Sequence, residues 1–235
     1  MLKLMKLELK RNRIKGYFLA VQIITAAMLG FTYLFALMPQ IDKSQRDLEL
    51  LMSYGVFSRL LCVISLLCFS VLSAVMFNRF VVEEYTGKKA ILLFSYPVDR
   101  SMILWAKVFT VFLFTVAAMT SSGLITFSIF FITEATFHFM KDTLTLNVLL
   151  QTFGFVLTYA VIAASFAAIS LWVGYWKKSA SATLVANIIL VSLLGNLLVM
   201  GIPNAPVAMG VAAFSIIISF IFVRNLHSKI MKLEV

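Results

Sequence analysis

Residues 56–78 read VFSRLLCVISLLCFSVLSAVMFN, and this stretch decides the class of fold. It is longer than the roughly 20 mostly apolar residues that a helix needs to cross a bilayer core. Its one charged residue, Arg59, lies near one end, from where a long side chain can reach the membrane interface. The stretch is therefore predicted to be a transmembrane helix.

The whole chain has the same apolar character. It is 62% hydrophobic and 13% charged, with a mean hydropathy of +1.00, and a soluble domain of 235 residues could not bury that much apolar surface. Six stretches reach or approach membrane-spanning length: residues 17–38, 56–78, 108–132, 147–173, 181–200 and 205–223. The sequence predicts an all-α polytopic membrane protein, a single transmembrane domain over residues 1–235 with six spans.

The distribution of charge predicts the orientation. Sixteen of the 20 Lys and Arg residues fall in four segments, residues 1–16, 79–107, 177–178 and 224–235, which six spans place on one side of the membrane. Short loops rich in Lys and Arg mark the cytoplasmic face, so both termini are expected in the cytoplasm. Because the net charge of +10 is divided among membrane flanks, we expect no nucleic-acid partner.

The first segment has the pattern of an interfacial amphipathic helix. Leu2, Met5 and Leu9 share one helical face. Cations flank that face at steps of three and four: Lys3, Lys6, Lys10 and Arg13. We expect residues 1–16 to lie against anionic lipid, with a plain basic flank of the first span as the alternative.

Uncharged polar residues interrupt the apolar spans, whose midplanes carry no acidic, basic or histidine side chain. The candidates for a substrate path are Gln22, Thr120, Ser121, Gln151, Asn187 and Asn196. Ordinary helix packing is the alternative for each of them. Small residues spaced by four, Ala160, Ala164 and Ala168, favour close helix approach. We expect no catalytic residue and no metal site, because the Cys and His residues have no metal-ligand spacing.

Glycine and proline break the apolar sequence between the fifth and sixth spans. Residues 195–210 read GNLLVMGIPNAPVAMG, without a charge. We expect an outer hairpin that dips back into the membrane, for which irregular backbone must be shielded by protein or water. A tight turn outside the membrane is the alternative.

The polar segment after the second span points to a partner. Residues 79–107 read RFVVEEYTGKKAILLFSYPVDRSMILWAK, with paired acids, an apolar centre and a Pro-x-x-Arg element. This pattern suits a cytoplasmic surface that docks another protein. A solvated loop without a partner is the alternative.

The segment resembles the corresponding part of the type-2 ABC permease family, the six-span membrane subunits of ATP-binding-cassette exporters. The resemblance extends to the layout of the whole chain. It implies a cytoplasmic coupling helix that docks on an ATPase through Glu83, Glu84, Gly87, Ile91, Leu92, Phe94, Pro97 and Arg100. The acids would pair with basic groups of the ATPase, and Ile91, Leu92 and Phe94 would supply apolar contact.

The resemblance also implies a set of partners. The sequence contains no Gly-x-x-x-x-Gly-Lys-Ser/Thr loop, so ATP and Mg would be bound by two separate ATPase subunits and no cofactor by this chain. A second copy or a sibling permease would complete the pore in the bacterial cytoplasmic membrane, in contact with lipid. The expected cargo is a hydrophobic or amphipathic substrate. The best candidate is an antimicrobial peptide, which the transporter would move either for export or for self-immunity. The alternative function is a non-transporting sensor or scaffold that binds a cytoplasmic regulator through residues 79–107.

Overall fold

The computed structural model describes residues 2–11, 14–41, 53–85, 100–137, 140, 145–200 and 205–231. Every regular element in these ranges is helical, which confirms the predicted all-α class. The helices are α1 (Leu2–Arg11), α2 (Lys15–Ile41), α3 (Tyr54–Phe77), α4 (Arg100–Phe137), α5 (Leu146–Lys177), α6 (Ala180–Met200) and α7 (Ala205–Met231). A π-helix, Asn78–Val82, and a last turn, Glu83–Tyr85, continue α3 without a break.

Within the described ranges, five helices are long and apolar enough to cross a membrane, so the protein is a multi-pass membrane protein. They are Lys15–Met38, Tyr54–Tyr85, Ser101–Phe137, Leu146–Lys177 and Ala208–Met231. A shorter apolar stretch, Ala180–Gly195, lies in α6. Most of the helices continue past the apolar segments predicted from the sequence, and α4 begins already at Arg100. Polar residues that flank the spans are therefore held on helices.

Helix α5 is the centre of the bundle, because it contacts α3, α4, α6 and α7. Its alanines are almost completely buried, as their spacing predicts: Ala160, Ala163, Ala164, Ala167 and Ala168. Small side chains allow the neighbouring backbones to approach closely, where dispersion contacts stabilise helix packing in lipid. Helix α2 lies at the periphery against α3 and α4, and α1 packs on α4.

The chain segments that carry most of the basic residues meet at one end of the bundle, which we name the α1 end. There the ring of Tyr17 lies 6.2 Å from that of Phe80, and His227 is 2.8 Å from the hydroxyl of Ser101. The ammonium of Lys229 lies 5.6 Å from the ring centre of Trp172. The opposite end is filled by aromatic side chains, among them Phe57 and Phe130 with ring centres 5.0 Å apart.

Two segments singled out by the sequence are described in part. Residues 79–85 and 100–107 are helical extensions of α3 and α4, whereas residues 86–99 lie outside the described residues. Residues 195–200 and 205–210 belong to α6 and α7, and residues 201–204 lie outside the described part. The coupling helix and the outer hairpin therefore stay predictions.

The turn between α5 and α6 brings these two helices into close contact. Lys178 adopts a left-handed conformation with φ of 48°, and the backbone N–H of Ser179 donates to the carbonyl oxygen of Gly174 at 3.1 Å. A Cβ atom added to Gly174 would lie 1.7 Å from Oγ1 and 2.8 Å from Cβ of Thr183. The absence of a side chain at Gly174 is therefore required for the contact between α5 and α6.

We predict that Gly174→Ala lowers the thermal unfolding temperature of the detergent-solubilised protein. The added methyl group would force α6 away from α5, and such overpacking costs about 1–3 kcal/mol. Gly154→Ala is the matched control, because it lies on the same helix and an added Cβ has no neighbour within 4 Å. The control should be neutral or stabilising by up to about 1 kcal/mol, since Ala is the better helix former. Equal unfolding temperatures for the two variants would contradict the packing argument.

Candidate functional site

A lysine is completely buried at the α1 end of the bundle. The side chain of Lys107, on the second turn of α4, is 0% exposed. Its Nζ atom donates to Oε2 of Glu8 at 3.0 Å and to Oε2 of Glu84 at 2.5 Å. A buried ammonium is stable only when it is paired and hydrogen-bonded, and these two carboxylates supply that pairing.

Arg11 closes the arrangement from its outer side. Its guanidinium donates to Glu8 at 3.0 Å and to both carboxylate oxygens of Glu84. Glu8, Arg11, Glu84 and Lys107 therefore form a ring of ion pairs in which each carboxylate lies between two cations. We name this group the four-charge cluster, and its formal net charge is zero.

Local sequence and helix geometry orient these side chains toward one another. Glu8 and Arg11 are three residues apart on α1, and therefore share one helical face. Glu84 is the second residue after the π-helix Asn78–Val82, at whose end the N–H of Glu83 donates to the carbonyl oxygen of Asn78. A π turn holds one residue more than an α turn, and so it rotates the residues that follow by about 100° relative to an uninterrupted α-helix. The π-helix thus sets the direction in which Glu84 points.

The four-charge cluster joins three segments that are distant in sequence. They are α1, the turn Glu83–Tyr85 that ends α3, and the start of α4. The last two flank residues 86–99, the centre of the predicted docking segment. The cluster therefore lies where both ends of that segment enter the membrane bundle.

The predicted docking residues fall into three groups. Glu83 is exposed, whereas Glu84 is mostly buried with a side chain 14% exposed and belongs to the four-charge cluster. Arg100 begins α4, and its side chain lies outside the described residues. The other docking residues also lie outside them: Gly87, Ile91, Leu92, Phe94 and Pro97. Contact with an ATPase stays a prediction for all of them.

Three of the four predicted lipid-contacting cations belong to α1. Lys3, Lys6 and Lys10 are part of the helix, although their side chains lie outside the described residues, as does Arg13. Within the predicted segment 1–16, a helix covers Leu2–Arg11, and it packs on α4. Contact with lipid stays a prediction.

The polar residues proposed for a substrate path have different environments. Gln22, Ser121 and Gln151 are exposed on the surface of the single chain, and Thr120 is half-buried. Asn187 is 0% exposed and donates to the hydroxyl of Ser70 at 3.1 Å, which ties α6 to α3. The side chain of Asn196 lies outside the described residues.

An apolar groove lies near the α1 end between α4, α5 and α7. Its cavity measures about 270 Å³ and is lined mainly by aromatic and aliphatic side chains, including Trp105, Phe109, Phe220 and Val223. The ring of Trp105 lies 5.7 Å from the rings of both Phe109 and Phe220. The groove offers dispersion contacts and apolar burial to a hydrophobic ligand. In the described part of the chain, no group of three or more His, Cys, Asp or Glu side chains could hold a metal ion.

From the sequence alone, Arg11 contributes only to the orientation signal, Lys107 ends the predicted docking segment, and Glu8 is not singled out. One signal was present, because Glu8 is the sole acidic residue of the basic segment 1–16. An acid in such a segment indicates an internal ion pair, but the sequence does not show its partners. Those partners lie 76 and 99 residues away along the chain, from Glu8 to Glu84 and from Glu8 to Lys107.

The fold defines a polytopic helical membrane protein with a buried charge cluster at one end. Residues 4–195 match the family model described as ABC-2 family transporter protein, and the chain belongs to this family. It is also similar to a protein of Bacillus subtilis (strain 168) described as "Uncharacterized protein YcbO". The two are 23% identical over 231 residues, which cover 95% of this chain and 97% of that protein. No solved structure matches the chain.

Family membership confirms the resemblance predicted from the sequence and gives the chain a general role in membrane transport. ABC-2 permeases are the membrane components of transporters and are not themselves catalytic. Membership therefore implies association with ABC ATPase subunits.

We predict that Lys107→Met destabilises the protein strongly, by about 3–5 kcal/mol, because two carboxylates then share the Arg11 guanidinium in a desolvated site. The measurement is thermal unfolding in detergent. Lys107→Met/Glu8→Gln should recover more than half of the loss, since a neutral Arg11–Glu84 pair remains. Lys177→Met, at an exposed position, is the control and should behave as wild type. A single variant as stable as this control would show that the cluster contributes little.

Proposed function

We propose that this chain is the membrane-spanning permease subunit of an ATP-driven ABC exporter, paired with a second copy or a sibling permease and two separate ATPase subunits. The family match over residues 4–195 carries the proposal. A transporter of this kind needs an energy source, and the sequence has no phosphate-binding loop of its own. ATP and Mg would therefore be held by the ATPase subunits.

We further propose six spans with both termini in the cytoplasm. Helix α6 has 21 residues and, at 1.5 Å per residue, is about 32 Å long, which is enough to cross the hydrocarbon core. With six spans, the end of α7 returns to the side of the membrane on which α1 lies. In the structure, α1 and the end of α7 do lie at the same end of the bundle. The excess of Lys and Arg at this end supports its assignment to the cytoplasm.

The docking surface would be formed by residues 79–107. Glu83, near the start of this segment, is exposed at the α1 end, and its carboxylate is accessible to a basic partner. Glu84 supports the same surface from inside, because its carboxylate is held by Lys107 and Arg11. The apolar residues Ile91, Leu92 and Phe94 would supply the contact area, and Pro97 would end the coupling helix.

The proposed substrate is hydrophobic or amphipathic. The best candidate is a peptide, which the transporter would move either for export or for immunity against it. The apolar groove between α4, α5 and α7 supports a hydrophobic substrate that is reached from the membrane. Exposed Gln22, Ser121 and Gln151 offer polar contacts on the mainly apolar outer faces of α2, α4 and α5. Such polar contacts would suit the peptide groups of an amphipathic cargo.

The test is purification of the tagged chain from its native membrane in mild detergent. We expect an ABC ATPase to co-purify in stoichiometric amount, with vanadate-sensitive ATP hydrolysis. Glu83→Lys should reduce the amount of bound ATPase at least threefold, because it places a cation where a basic partner is expected. Lys177→Glu, an equally large charge change at another exposed position, is the control and should retain the ATPase.

A stable preparation without any ATPase would contradict the permease function. It would favour the sensor or scaffold function instead. Full retention of the ATPase by Glu83→Lys would leave the permease function standing but contradict the role of Glu83 in docking.

A further inference from the structure

We propose that the four-charge cluster is an ionic lock that makes α1 move as one body with both ends of the ATPase-docking segment. This inference rests on the proposed function, since it concerns how a displacement of residues 86–99 enters the membrane bundle. Motion imposed by the ATPase would be passed to α3 through Glu84, to α4 through Lys107, and to α1 through Glu8 and Arg11.

The first support is the closed geometry of the ring. Each of the four side chains contacts two others of opposite charge: Lys107 and Arg11 each contact both Glu8 and Glu84. Loss of any one ion-pair contact leaves the other three. The relative positions of α1, the end of α3 and the start of α4 therefore do not depend on a single contact. A single surface ion pair would not fix them in this way, because its two side chains remain mobile.

The second support is burial. The side chain of Lys107 is 0% exposed, and those of Glu8 and Glu84 are 10% and 14% exposed. Where water is largely excluded, attraction between opposite charges is stronger than at the surface. Separating α1 from α4 would leave Lys107 with fewer partners in a desolvated position. The three segments are therefore expected to stay together during a conformational change.

The third support is the apolar layer beside the ring. Phe80 and Tyr85 from the end of α3, Leu104 from the start of α4, and Tyr17 from α2 belong to one buried cluster. Ile14, between α1 and α2, packs against it. The chain that follows α1 is thus held by the same segments that the charges join, and apolar contact and charge act on the same body.

If α1 moves with the docking segment through the four-charge cluster, a variant that removes only the contacts of α1 should uncouple the two. Glu8→Gln/Arg11→Gln removes every charge that α1 contributes to the cluster. It leaves the Lys107–Glu84 pair, which is neutral as a whole, between α3 and α4. The bundle should therefore remain folded. Lys177→Gln/Lys178→Gln, at two exposed positions, is the control.

The first experiment uses the full-length permease without ATPase. Spin labels are placed on cysteines at Leu7 of α1 and Met102 of α4, both exposed, in a Cys62→Ala/Cys68→Ala background. We expect one narrow distance distribution for the parent and for the control. The distribution should be at least twice as wide in Glu8→Gln/Arg11→Gln. Equal widths would overturn the lock.

The second experiment uses the complex with the co-purified ATPase, before and after trapping with ATP and vanadate. Two distances are measured to a label at Ser181 on α6, one from Leu7 and one from Met102. We expect trapping to shift both distances in the parent. In Glu8→Gln/Arg11→Gln, the Met102 distance should still shift while the Leu7 distance no longer follows it.

The outcomes separate this inference from the proposed function. If the ATPase binds and the Leu7 distance shifts equally in parent and variant, the lock is overturned and the permease function stands. If no ATPase binds the parent, the proposed function fails and with it the transmitting role of the cluster. The widths of the Leu7–Met102 distance distributions, measured without ATPase, then still decide whether the cluster fixes α1 to α4.

Discussion

A lipid bilayer offers the backbone no water to hydrogen-bond, and this constraint governs the rest of the structure. Each segment within the hydrocarbon must satisfy its own N–H and C=O groups, which a helix does. All regular structure in the described ranges is accordingly helical. Because lipid tails are as apolar as the helices, association depends on close packing, and the buried alanines of α5 supply it at the centre of the bundle.

The same constraint explains why the charges are gathered as they are. Helices α3 and α4 run past the apolar spans, so that Glu84 and Lys107 are held on rigid backbone at the α1 end. A charge buried in this way is costly unless it is neutralised. Glu8 and Arg11 of α1 complete a neutral ring with Glu84 and Lys107. This structural requirement ties the N-terminal helix to both flanks of the predicted docking segment.

The fold class was predictable from local pattern, because the length and hydropathy of a segment decide whether it can span a membrane. The helices contain the predicted segments, and the small residues at 160, 164 and 168 are buried as their spacing indicates. Helix ends were less predictable. Polar residues such as Arg100 and Lys107 lie outside the predicted apolar segment, yet the backbone hydrogen bonds of the helix continue through them.

The sequence by itself determined the class of the protein, its helices and its family, since these depend on composition, local periodicity and a motif that is contiguous in the chain. Only the tertiary structure decided the partners of its charges. Lys107 carries the same charge as any of the basic residues that indicate orientation, but its burial between α1, α3 and α4 makes it the centre of a four-charge cluster. The physical reason is that burial and ion pairing depend on segments far apart in sequence, which come together only when the helices pack.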